Sequence, residues 1–179
     1  MSELPILHAH KPHEQEELAL IALRATPYHE GYQLYTLLAV GGDNERPLTS
    51  DGGIVFFTDP HAAAKALKLD PSMSSLGPVP NHLESVCDVA EALYLVNSQD
   101  VDPHGTLLDC LLILDDLVRA TRLHMPERYQ ALLTELAARL TEGKALKQIF
   151  SNSALRHHVE DALLWCVGAV TVKVRIISE

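Results

Sequence analysis

The chain of 179 residues has 47% hydrophobic and 21% charged side chains, a globular composition that rules out a largely disordered protein and suffices for one buried core. The formal charge of −10 is spread over both halves, with 5 basic against 10 acidic residues in 1–80 and 9 against 14 in 81–179. Nucleic acids and anionic bilayers are gripped by Lys and Arg, so neither is an expected partner.

The first notable stretch is "HAHKPHEQEE", which sets His8, His10 and His13 within six positions. On an extended segment His8 and His10 face the same way, the H-x-H spacing of many metal sites. Pro12 biases Lys11 to extended geometry, so the third ring need not converge with the other two. These three residues are the candidate metal ligands, set against a solvated terminal arm, and no cofactor is expected. The opening "MSELPILHAHKPHEQEE" lacks the basic region and long apolar core of a signal peptide, and "ALLWCVGAV" is too short to span a bilayer. A cytoplasmic protein, not held in a membrane, is expected.

"ELALIALRAT" and "YQLYTLLAV" are short apolar runs separated by "PYHEG", a turn-rich stretch of hairpin length, and both are read as strands. The good helix formers of "EQEELALIALRA" leave a helix as the alternative for the first. Asp51-Gly52 suits a type I′ turn, whose two central residues take positive φ, so "RPLT" is expected to pair back on "GIVFF". "TDPHAAAKALKL" then starts a helix, capped by Thr58 or Asp59 with Pro60 at its first position. Its alanines suit close packing on one sheet face.

At "LDPSMSSLGPVPN", residues 69–81, periodicity gives way to Pro, Ser and Gly. The chain therefore divides into a β-rich subdomain over 1–68, a Pro/Ser-rich linker over 69–81 and a helical subdomain over 82–179, together one compact unit. Beyond the linker, "HLESVCDVAEALYLV" repeats Leu83, Val86, Cys87, Ala90, Leu93 and Tyr94 at helical spacing and is read as a helix. A second helix, from about 104 to 123 after Asp102-Pro103, is apolar around most of its circumference and must be covered on several sides. "MPERYQALLTELAARLTEG" is amphipathic, with the stripe Tyr129, Leu132, Leu133, Leu136, Ala137 and Leu140, and Gly143 as its stop. "KALKQIF" is a short helix, and Ser151 to Ser153 cap another. In "AVTVKVRII" β-branched alternation favours a strand over a continued helix, with Gly168 ending the helix and the strand free to join the N-terminal sheet. The fold class is α+β: a small antiparallel β-meander of three or four strands with one helix, followed by a mostly helical half of four or five helices packed on it.

Cys87, Cys110 and Cys166 are widely spaced inside apolar runs, without the C-x-x-C pairs of a thiolate zinc site, and are read as buried free thiols. His157 and Asp161 stand one helical turn apart, the spacing of a carboxylate that orients a histidine base, and are the candidate catalytic residues. A surface ion pair has the same spacing. His158 falls beside Leu155 and Ala162 and is expected at the core edge. Asp109 and Asp116 share one side of the second helix, with Arg119 placed to pair with Asp115 and Asp116. "DDLVRAT" has Arg119 at the fifth position, where a D-D-x-x-D magnesium motif needs an acid. Phosphate-cradling glycines and a G-x-S-x-G elbow are absent.

These observations favour a noncatalytic, bacterial-type cytosolic interaction or regulatory protein. It would act through an apolar helical surface, with a homodimer or a protein partner as its complex. The alternatives are a metal- or histidine-dependent enzyme using His8, His10 and His13 or the His157/Asp161 pair, and a small-ligand sensor with its pocket between sheet and helices.

Overall fold

Residues 18–22 and 36–39 are buried without interruption, a pattern that one-sided strands do not show and that requires cover on both sheet faces. The computed structural model, which describes residues 16–24, 33–41, 45–69 and 76–178, supplies that cover. Strands β1 (Glu17–Arg24) and β2 (Gln33–Val40) pair antiparallel over their full length, from Glu17 opposite Val40 to Arg24 opposite Gln33. Strands β3 (Arg46–Pro47) and β4 (Thr49–Ser50) are two parts of one kinked segment. Leu48 N–H donates to Leu37 O and Val55 N–H donates to Leu48 O, which inserts this segment between β2 and β5 (Gly53–Phe57). The turn into β5 has Asp51 at φ 48° and Gly52 at φ 78°, the double positive φ expected of Asp-Gly. The antiparallel meander thus forms as read from the sequence.

Helix α1 (Pro60–Leu69) follows, capped by Asp59, whose Oδ1 accepts from His61 N–H at 2.7 Å and Ala62 N–H at 2.9 Å. Ala62 and Ala63 bring it close to one sheet face, over Leu18, Leu20, Leu37, Val55 and Phe57. The opposite face, with Ala19, Ile21, Leu38, Ile54 and Phe56, is covered by the helices of the second half.

That half also contributes strands. The continuous helix expected from residue 83 does not form: Ser85–Asp88 is strand β6, parallel to β1 with Cys87 opposite Leu23, and helix α2 (Val89–Ser98) begins only after it. Asp88 makes the break, because its carboxylate accepts from Glu91 N–H at 3.0 Å and caps α2. Pairing with β1 then holds Val86 and Cys87 extended, a nonlocal gain that overrides helical periodicity. Helix α3 (Thr106–Thr121) has eight buried residues and packs against α2, β6, further helices and the meander, the central position its apolar circumference requires. Asp102 caps it through Thr106 N–H and Leu107 N–H, each at 2.9 Å.

Helix α4 (Glu127–Thr141) stops before Gly143 at φ 74°, as expected. The short α5 (Leu146–Ile149) leads to α6 (Ser153–Val172), capped by Asn152. Gly168 does not end α6, which continues four residues further because Cys166, Ala169 and Val170 still face the core. The expected strand begins later, as β7 (Val174–Ile177), and does join the N-terminal sheet, parallel to β5. Gly53 admits it: a Cβ there would lie 2.9 Å from Lys173 O. Strands from both sides of the linker therefore share one mixed sheet, within an α+β fold. No helix among the described residues is long and apolar enough to cross a membrane.

Candidate functional site

The histidine and carboxylate candidates do not converge. His157 lies near the start of α6, with its side chain 75% exposed and Nδ1 3.1 Å from Glu160 Oε2. Glu160, three residues on, therefore takes the place expected of Asp161, which is exposed. Glu160 also accepts from the Asn97 side-chain amide on α2, and these two hydrogen bonds, Asn97 first, hold its carboxyl below the usual range. His158 is exposed rather than set at the core edge, because the buried face of α6 runs through Val159, Ala162 and Leu163. His8, His10 and His13 lie outside the described residues. Among the described residues, no group of three or more His, Cys, Asp or Glu is placed to hold a metal ion.

The three cysteines are buried free thiols, as expected, and they share one core cluster. Cys87 Sγ lies 3.5 Å from Cys110 Sγ, linking β6 to α3. The hydrogen bond with Cys110 and burial both push the Cys87 thiol up, and burial pushes Cys166 up to about 12. Such thiols are poor nucleophiles and metal ligands.

The second apolar feature is the outer face of the helical layer. Of the α4 stripe only Leu136 is buried, while Tyr129, Leu132, Leu133, Ala137 and Leu140 are only partly covered by the core. Beside them Leu112 on α3 is 53% exposed. It borders a groove of about 260 Å³ between α3 and α4, whose walls include Leu111, Met125, Leu133 and Ala137. Among the described residues the ionisable side chain in this groove is Asp115, held by Arg119 with Nε to Oδ2 at 3.1 Å.

A separate crevice of about 540 Å³ opens between sheet and helices, where Leu23, Leu34, Val89, Leu114, Val170 and Ile176 form its aliphatic walls. This is the location foreseen for a small-ligand pocket. No titratable side chain lines it among the described residues.

At the C-terminal end of α3, Arg119 also pairs with Asp116, as its spacing predicted. Asp116 is the more enclosed of the two partners, and burial raises its carboxyl above the usual range despite the pull of Arg119. Asp109 is exposed and has no part in this pairing. Sequence reasoning missed the neighbours of this pair, because Glu45, Arg46 and Lys173 reach the same cleft from distant parts of the chain. It also missed Leu112, an exposed leucine on a helix read as apolar around most of its circumference.

No protein-family model matches the chain, and a search of curated proteins finds no match. Among solved structures, the crystal structure of the SatS C-terminal domain in complex with bromine is similar, with a TM-score of 0.51 and 14% sequence identity over 89% of this chain and 93% of that one. At that identity the likeness concerns the fold alone.

Proposed function

We propose that the protein is a noncatalytic, cytosolic interaction or regulatory protein whose working surface is the outer helical layer, and that a second copy of the chain binds there. The observation that carries this reading is the incompletely covered α4 stripe, with Leu112 half exposed beside it. Chains of charge −10 repel one another, so self-association favours a surface poor in ionisable groups. The α3–α4 groove meets that requirement, its carboxylate Asp115 being already held by Arg119. A two-fold axis through such a helix face buries each exposed leucine against its counterpart, the commonest arrangement of homo-oligomers. Three buried free thiols agree with a reducing compartment.

Light scattering over a hundredfold range of protein concentration tests the reading. The wild type is expected to show a dimeric mass that falls toward the 19.7 kDa chain only on dilution. Leu112→Asp, at an exposed position, is expected to remain folded and become monomeric. A wild type that stays monomeric at every concentration would overturn the proposal.

A second reading, a sensor of a small aliphatic ligand, rests on the crevice between sheet and helices, whose volume of about 540 Å³ falls in the range of small-molecule sites. Titration with a lipophilic fluorophore tests it. Val167→Trp, which places an indole in the crevice wall, is expected to abolish saturable uptake while leaving dimerisation intact.

A further inference from the structure

Strand β7 is an edge of the sheet: among the described residues it pairs with β5 alone. Ile54 N–H donates to Lys173 O at 2.7 Å and Thr58 N–H donates to Ile177 O at 3.2 Å, so residues 173, 175 and 177 turn their backbone groups toward β5. In a parallel ladder the residues between them point the other way. Val174 and Ile176 therefore direct N–H and C=O outward, where no described residue pairs with them. The opposite edge is covered, since no residue of β6 is exposed and Cys87 is fully buried.

Natural edge strands are blunted by proline, a bulge or a free charge. Strand β7 has no proline, its register against β5 runs without a bulge, and its charged residue, Arg175, is tied to Asp51 with Nη1 to Oδ2 at 2.7 Å. Apolar side chains lie in the open here: Ile176 is 57% exposed, and Val172, one residue before the strand's approach, is 76% exposed. Val174 and Ile176 also form part of the aliphatic crevice wall, so the open backbone edge and the crevice are continuous.

We infer that an extended, uncharged segment of a partner protein adds to the sheet beside β7, with aliphatic side chains at alternate positions. Outward N–H and C=O groups on one strand are matched together only by another extended backbone, the mode in which main-chain hydrogen bonds supply affinity and pockets for alternate side chains supply specificity. An added strand lies about 4.8 Å from β7, which sets its helix-side residues next to Val174 and Ile176 at the rim of the crevice. Arg175 is already neutralised by Asp51, and no titratable side chain among the described residues lines the crevice, so a charged segment meets no countercharge. A second copy is disfavoured here, because antiparallel pairing of two β7 strands about their centre sets Arg175 directly opposite its counterpart. The surface is distinct from the α3–α4 groove and does not depend on dimerisation there.

Fluorescence anisotropy of the full chain with a labelled peptide of alternating valine and threonine tests the inference, with a terminal lysine at each end for solubility. Saturable binding at one peptide per chain is expected, unchanged in Leu112→Asp. A control peptide with asparagine for each valine is expected not to bind. Ile176→Pro removes an outward N–H that the sheet does not use, so the variant is expected to fold, which circular dichroism checks, and to weaken binding at least tenfold. A peptide methylated at its backbone nitrogens keeps the side chains but loses the donors, and is expected to bind at least tenfold more weakly to the wild type. Absence of saturable binding, equal binding of either modified peptide, or undiminished binding by folded Ile176→Pro would each overturn the assignment. Conversion of a dimer to a monomer by Ile176→Pro would give the edge to a second copy and overturn it as well.

Discussion

A thiol challenge at pH 8 tests whether β6, α3 and α6 form one closed core. An accessible cysteine with a pKa near 8.5 is about one quarter thiolate at that pH. Cys166, pushed up to about 12 by burial, is ionised in only about one chain in ten thousand, so ionisation alone slows its reaction about a thousandfold. Cys87, Cys110 and Cys166 are each 0% exposed, so reagent must also wait for the core to open. The opened thiol has the pKa of an accessible cysteine, so the two factors do not multiply: an opening free energy of at least about 5 kcal/mol by itself slows the reaction about a thousandfold or more. Absorbance-monitored reaction with an aromatic disulfide is therefore expected to give well under one thiol per native chain over an hour, and 3 in denaturant. At intermediate denaturant the thiols should react in a single phase, because they sit in one cluster. Rapid release of one equivalent from the native protein would refute this: a thiol would then be accessible, and the assignment of all three to packing would fail.

Leu136→Ala removes the buried anchor of α4 and should cost about 2–4 kcal/mol in urea unfolding, with hydrogen exchange rising first in Glu127–Thr141; a uniform rise would count against α4 as the loosely held outer layer. Gly53→Ala places a Cβ 2.9 Å from Lys173 O and Arg175 Cγ, so β7 must shift from β5 at a cost of about 1–3 kcal/mol, and an unchanged melting temperature would contradict the packing. Glu160 has a folded pKa below its unfolded value through Asn97 and His157, so its contribution to stability is complete above about pH 4.5 and disappears as pH falls through the folded value. The stability difference between wild type and Glu160→Gln should therefore shrink from pH 6 to pH 3, whereas a constant difference would remove electrostatics as its cause.

Local signals were legible wherever their physics is local. Asp51-Gly52 at the hairpin turn, Asp59-Pro60 at the start of α1 and Gly143 after α4 act on the backbone within a few residues, and each occupies its expected position. Ser85–Asp88 was misread because Val86, Cys87 and Ala90 satisfy helical spacing equally well, and the choice between the two was made by β1, more than sixty positions away. Gly168 was misread for a related reason: its weak preference to stop a helix yields to the burial of Ala169 and Val170 beyond it. The carboxylate beside His157 proved to be Glu160, because its other oxygen is drawn to Asn97 on a neighbouring helix.

The sequence by itself determined the class of the protein, most of its element boundaries, the acidic surface and the packing role of the cysteines, since these follow from composition and from forces acting along a few turns of chain. Tertiary structure alone decided that β6 and β7 complete the sheet, that the α4 stripe stays partly uncovered, and that Arg46, Arg119, Arg122 and Lys173 meet in one cleft. Side chains up to 127 positions apart become neighbours only when the burial of apolar surface brings their backbones together, and no periodicity along the chain records that encounter.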